Sequence, residues 1–133
     1  MSTKTVNLGV IGAGRIGKIH AENIATRVPG ARLAAVADIN LAAAQALARQ
    51  LHAPLATADH RQLLAAADLN AVAICSATDT HAQIIQDTAA SGKHIFCEKP
   101  IDLDLQRIDL TLQAVEKAGV QFQVGFNRRF DPS

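Results

Sequence analysis

A chain of 133 residues with 13 Lys and Arg against 12 Asp and Glu has the length of one domain and a formal net charge of +1. That balance excludes a basic nucleic-acid surface and an acidic tail. Four Phe with no Trp or Tyr leave a core of Ala, Val, Ile and Leu, which suits a buried parallel sheet better than a β-sandwich. No apolar run reaches a membrane span, and Met1-Ser2-Thr3-Lys4-Thr5 carries no secretory core, so the expected location is cytoplasmic.

The first predicted strand passes through Leu8, Val10 and Ile11 into the turn Gly12-Ala13-Gly14-Arg15-Ile16-Gly17. A helix follows, with Ile16, Ile19, Ile24 and Val28 at helical spacing. In such a turn Gly12 allows the tight bend, Gly14 lets backbone approach a pyrophosphate, and Gly17 lets helix and strand lie close. Phosphates then meet a helix N-terminus, where unpaired N–H groups and the helix dipole favour negative charge. The second strand, Leu33 to Ala37, ends in Asp38, about twenty residues beyond Gly17, the separation at which a carboxylate meets an adenosine ribose. Asp38 accepts hydrogen bonds from two ribose hydroxyls and repels a 2′-phosphate. Ile39 and Asn40 bring no cation to offset that repulsion, so the expected cofactor is NAD rather than NADP. The plainer alternative makes Asp38 only the start of a turn, but Asn40 can cap the next helix itself.

That helix spans Leu41 to Leu51, and Pro54 breaks the loop or very short strand from His52 to Thr57. Asp59 caps a helix through Ala66, and Ala71 to Cys75 is a fourth, wholly apolar strand. Ser76 to Asp79 reads as a polar turn, Thr80 to Ala90 as a helix closed by Gly92, and His94 to Cys97 as the fifth strand. A helix from Leu103 to Lys117 places Leu105, Ile108, Leu112 and Val115 on one face. Gly119 caps it, and Val120 to Phe126 is the sixth strand. Alternating strands and helices make this an α/β chain, a Rossmann-type doubly wound parallel sheet of six strands in the order 3-2-1-4-5-6 with helices on both faces. Cys75 and Cys97 fall near the ends of neighbouring strands. A disulfide is conceivable in that geometry, but a reducing compartment favours small core thiols. Neither they nor the five histidines form a metal-ligand pattern.

Glu98-Lys99-Pro100 leaves the fifth strand on the crevice side. A lysine at a strand end is most often a solvated surface residue. Here Pro100 fixes the chain direction, Glu98 can hold the ammonium or a ribose hydroxyl, and a cation so placed can stabilise a developing alkoxide. Taken with the glycine turn and its continuation to Asn23, with Ser76-Ala77-Thr78-Asp79-Thr80-His81 and with Gly125-Phe126-Asn127-Arg128-Arg129-Phe130-Asp131, these residues resemble the glucose–fructose oxidoreductase and inositol dehydrogenase family over essentially the whole chain. The inositol 2-dehydrogenases are the most similar branch. The resemblance implies NAD contacts from Gly12, Ala13, Gly14, Arg15, Ile16, Gly17, Asp38, Ile39, Ser76, Ala77, Thr78, Glu98 and Lys99. It also implies that Lys99 acts on the reacting hydroxyl as the catalytic residue, with Asn127 and Arg128 near the substrate. His81 matches a family position too, either touching cofactor or only packing at a helix start.

Family members run to more than twice this length. Their second α/β domain supplies the substrate pocket, the Asp and His that complete the acid–base system, and the oligomer interface. Residues 1–133 are therefore expected to form a single dinucleotide-binding domain that binds NAD without appreciable turnover, since losing proton transfer alone costs about 10²–10⁴ in rate. Two other readings stand beside this one: a dinucleotide sensor without catalysis, and a domain serving only as a folding or assembly unit. A complete Glu-Lys-Pro motif favours a dehydrogenase, for which the substrate is a polyol or sugar. Apolar positions Leu103, Leu110, Phe126 and Phe130, uncovered without the second domain, point to self-association as a dimer.

Overall fold

A computed structural model describes residues 5–125. Six parallel strands form one sheet in the order β3-β2-β1-β4-β5-β6. They are β1 (Val6–Ile11), β2 (Ala31–Ala37), β3 (Leu55–Thr57), β4 (Ala71–Ile74), β5 (His94–Glu98) and β6 (Phe122–Gly125). Between them run α1 (Arg15–Thr26), α2 (Leu41–Leu51), α3 (His60–Leu64), α4 (Thr78–Ala90) and α5 (Leu105–Ala118). One core joins Ile11, Ile74 and Cys97 to Leu63, Ile84, Ile85 and Val115 of the last three helices. The other joins Val10, Val36 and Ala73 to Ala21, Ala44 and Leu47 of the first two. The strand order reverses between β1 and β4, and in such sheets the crevice beyond the strands' carboxyl ends at that point receives the ligand. Among the described residues no helix is long and apolar enough to cross a membrane.

The predicted strands and helices are all present, with three instructive differences. The helix after β4 begins at Thr78 rather than Thr80, because Thr80 Oγ1 donates back to the Ala77 carbonyl and closes the first turn. The last helix begins at Leu105, not Leu103. Asp102 accepts the Asp104 N–H at 2.9 Å, and Asp104 in turn caps Gln106, so two consecutive side-chain turns delay the helix. The sixth strand is shorter than expected, starting at Phe122, and Phe126 lies outside the described residues.

Helical faces differ from their apolar spacing in two places. Ile16, Ile19 and Val28 are exposed, and the buried residues of α1 are Gly17 and Ala21. Small side chains there bring the helix axis close to the sheet, and of the isoleucines only Ile24, near the end of α1, packs against the core. On α5, Leu105 and Leu112 are 79% and 40% exposed, while Thr111 and Val115 are buried. This helix packs chiefly on α4 rather than on the sheet, so its inward stripe is narrow.

Cys75 and Cys97 are both free. Cys97 lies level with Ile74 and faces the core beneath α4, whereas Cys75, one residue further along, faces the opposite core. Adjacent strands therefore do not bring the thiols together, which rules out the disulfide on geometry alone. Burial, reinforced by the charge of Glu98, pushes both thiols up to about 12. At pH 8 such a thiol is ionised to about one part in ten thousand. Both cysteines of the folded chain should thus resist iodoacetamide at pH 8 and react only in concentrated guanidinium, as read by intact mass; rapid labelling of Cys97 in the native chain would contradict this.

Candidate functional site

The turn after β1 is shaped by two glycines. Gly12 sits at φ +106, and a Cβ there would stand 2.7 Å from the Cys75 carbonyl carbon and the Ser76 nitrogen. A Cβ on Gly17 would overlap the Gly12 carbonyl oxygen. Gly14, between them, faces open space and is the N-cap of α1. No side chain caps that helix, and none caps α4, whose N-cap is Ala77. Helices α2, α3 and α5 are capped by Asn40, Asp59 and Asp104. The two helices that open onto the crevice are the two whose first-turn N–H groups are left for something else, which is how a fold presents an anion site.

Asp38 closes the other side. Its Oδ2 accepts the Ala13 N–H at 2.6 Å and its Oδ1 accepts the Asn40 N–H at 2.8 Å. The carboxylate thus braces the glycine turn across the gap between β1 and β2, and each oxygen keeps a further lone pair for a hydroxyl. Ala13, expected at the cofactor, has its N–H engaged by Asp38. A cavity of about 520 Å³ opens beside it, bordered by Gly12, Asp38, Ile39, Ser76, Ala77 and Thr80. Ala58, His60 and Gln83, from the segments after β3 and β4, line it as well. Ile39 is 96% exposed on the rim. A carboxylate at one end, an uncapped helix beside a Cβ-free turn and a largely aliphatic wall fit a nucleoside diphosphate.

The Glu98-Lys99-Pro100 corner is arranged differently from the expectation that Glu98 holds the ammonium. Glu98 is 9% exposed, and its Oε1 lies 2.5 Å from His20 Nε2 on α1. The His20 ring in turn tilts against Phe96, with centroids 5.3 Å apart. Gly125 gives this cluster room, since a Cβ there would stand 2.8 Å from the Phe96 ring. Lys99 is exposed and makes no ion pair among the described residues. His81 is 1% exposed, with Nδ1 2.8 Å from the Pro100 carbonyl and Nε2 2.8 Å from the Ser76 carbonyl. Its ring joins the loop of Ser76, Ala77 and Thr78 to the corner that bears Lys99, and leaves no nitrogen free for a ligand. Asn127 and Arg128 lie outside the described residues.

His20, His60, Thr80 and Gln83 were not singled out from the sequence. His20 carried a usable signal: it falls one turn beyond Gly17, on the face that α1 turns toward the sheet. The others had none, because only the fold brings α3 and α4 to the same cavity.

Residues 6–126 match an oxidoreductase family described as having an NAD-binding Rossmann fold. An inositol 2-dehydrogenase of Rhizobium meliloti is 51% identical over 128 residues, covering 96% of this chain and 38% of that protein. An uncharacterized oxidoreductase of Bacillus subtilis, YrbE, is 47% identical, covering 98% and 38%. The crystal structure of scyllo-inositol dehydrogenase from Lactobacillus casei, with bound NAD(H) and scyllo-inositol, superposes with a TM-score of 0.92 at 39% identity, covering 97% of this chain and 38% of that one. The chain therefore spans well under half the length of the relatives it matches.

Proposed function

Since this chain belongs to that oxidoreductase family with an NAD-binding Rossmann fold, we propose that it is the coenzyme-binding part of an NAD-dependent polyol dehydrogenase acting on a secondary hydroxyl of an inositol-like substrate. The observation that carries this reading is the uncapped N-terminus of α1 facing a glycine turn that Asp38 braces. The first-turn N–H groups hold the diphosphate, and Asp38 accepts from the adenosine ribose hydroxyls while opposing a 2′-phosphate. Bound NAD supplies a hydride acceptor. Lys99, exposed beyond β5, polarises the substrate hydroxyl and stabilises its negative charge as the proton leaves. Glu98 is held by His20 and orients the backbone that carries Lys99; His81 fixes the distance between that backbone and the Ser76 loop. Asn127 and Arg128 stand on the substrate side. The substrate-selecting groups belong to residues beyond those matched here, so residues 1–133 alone bind NAD without oxidising polyol, and the setting is the cytoplasm.

Calorimetric titration with NAD, followed by NADH absorbance with NAD and myo-inositol together, tests this. The expected result is saturable binding and no measurable reduction. Absent binding would remove the coenzyme reading; brisk turnover would show that this chain already holds the whole acid–base system.

We further propose that the chain associates as a dimer through α5. Leu103 just before this helix and Leu105, Leu110 and Leu112 on it are 86%, 79%, 61% and 40% exposed, and covering a fully exposed leucine is worth about 1.5–3 kcal/mol, a partly covered one proportionately less. Light scattering should give twice the chain mass, reverting toward the monomer in a Leu105→Glu, Leu110→Glu variant. A monomer at high concentration would defeat the proposal.

A further inference from the structure

Asp87 on α4 holds two side chains that line the cavity. His60 Nε2 is 2.8 Å from its Oδ2, and Gln83 Nε2 donates to its Oδ1 at 2.9 Å. Arg61 stands 3.7 Å from Oδ2. A carboxylate only accepts, so His60 Nε2 and the Gln83 amide nitrogen both donate to Asp87. Gln83 must turn its NH₂ toward Asp87, which leaves its carbonyl oxygen free. His60 gives its Nε2 proton to Asp87, and whenever the ring is neutral its Nδ1 is then a lone pair. Neither atom has a hydrogen-bond partner among the described residues, and both side chains line the cavity.

The geometry points to a base-reading device: His60 and Gln83, set by Asp87, form an acceptor-only edge that selects a purine bearing an exocyclic 6-amino group over one bearing a 6-oxo group. This rests on the coenzyme reading above. With the diphosphate on α1 and the ribose on Asp38, the part of the cavity lined by His60 and Gln83 is where the base is received. An adenine-type amine offers two protons to two acceptors. A 6-oxo group sets a lone pair against them and forfeits at least one hydrogen bond, which costs up to about tenfold in affinity.

The test compares NAD with nicotinamide hypoxanthine dinucleotide, which differs at that one position, by calorimetry on the 133-residue chain at pH 8. Preference for NAD of severalfold, up to about tenfold, is expected. In Asp87→Asn the new amide presents one donor and one acceptor, so either His60 or Gln83 must reverse polarity, and the preference should shrink severalfold. A general loss of packing would weaken both dinucleotides alike and leave their ratio unchanged. Should Asp87→Asn not fold, Gln83→Leu at an exposed position removes one acceptor and should lower the ratio. Equal binding of the two by the unsubstituted chain overturns the inference while the coenzyme reading stands; binding of neither overturns both. A ratio unmoved by these variants also overturns it.

Discussion

Asp38→Ala is expected to weaken NAD binding by about two to three orders of magnitude and to abolish discrimination against NADP, as measured by calorimetry with each coenzyme. A hydrogen bond to a charged acceptor contributes about 1.5–3 kcal/mol, and two ribose hydroxyls are involved. The variant also strands the Ala13 N–H, which Asp38 accepts at 2.6 Å, so the expected loss extends from the proposed sugar contact to the glycine turn proposed to cradle the diphosphate. Asp38→Asn separates the two effects. Its amide oxygen still accepts from Ala13, so the glycine turn keeps its brace, while the Asn40 N–H loses its acceptor and the charge proposed to oppose a 2′-phosphate is gone. The expected order of NAD affinity is native, then Asn, then Ala. Undiminished binding in Asp38→Ala, with coenzyme preference intact, would refute the assignment of this carboxylate.

The second large effect is expected from Gly17→Ala. On intrinsic helix propensity the change should stabilise α1 by about 1 kcal/mol. The structure predicts the opposite sign, because the added Cβ overlaps the Gly12 carbonyl oxygen. The obstacle is backbone, not the mobile end of a side chain, so the N-terminus of α1 must swing away from the turn. Overpacking of this kind costs about 1–3 kcal/mol, and the displaced N–H groups no longer converge on one anion. Denaturant unfolding should report a net loss of stability, and NAD titration should give no resolvable heat. A variant as stable as the native chain that still binds NAD would show the close approach to be dispensable.

The sheet order and most element bounds were legible because buried parallel strands read as apolar runs and because Asn40, Asp59 and Gly119 punctuate the helices in the expected places. Helix faces were less legible. Period alone does not reveal that α1 meets the sheet through Gly17 and Ala21, nor that α5 rests on another helix; of the apolar stripes, Ile24 and Val115 face the core while Ile16, Ile19, Leu105 and Leu112 do not. The glycine turn and Asp38 stood out in the sequence since each residue type has one mechanical reason to be there. The partners of Glu98 and Asp87 did not. His20 is 78 positions from Glu98, and His60 is 27 from Asp87, and no local spacing encodes such pairings.

The ring of His81, buried between the carbonyl oxygens of Ser76 and Pro100 with a ring nitrogen 2.8 Å from each, packs two surface segments against one side chain. A displacement of the Ser76 loop therefore presses, through that ring, on the corner that bears Lys99.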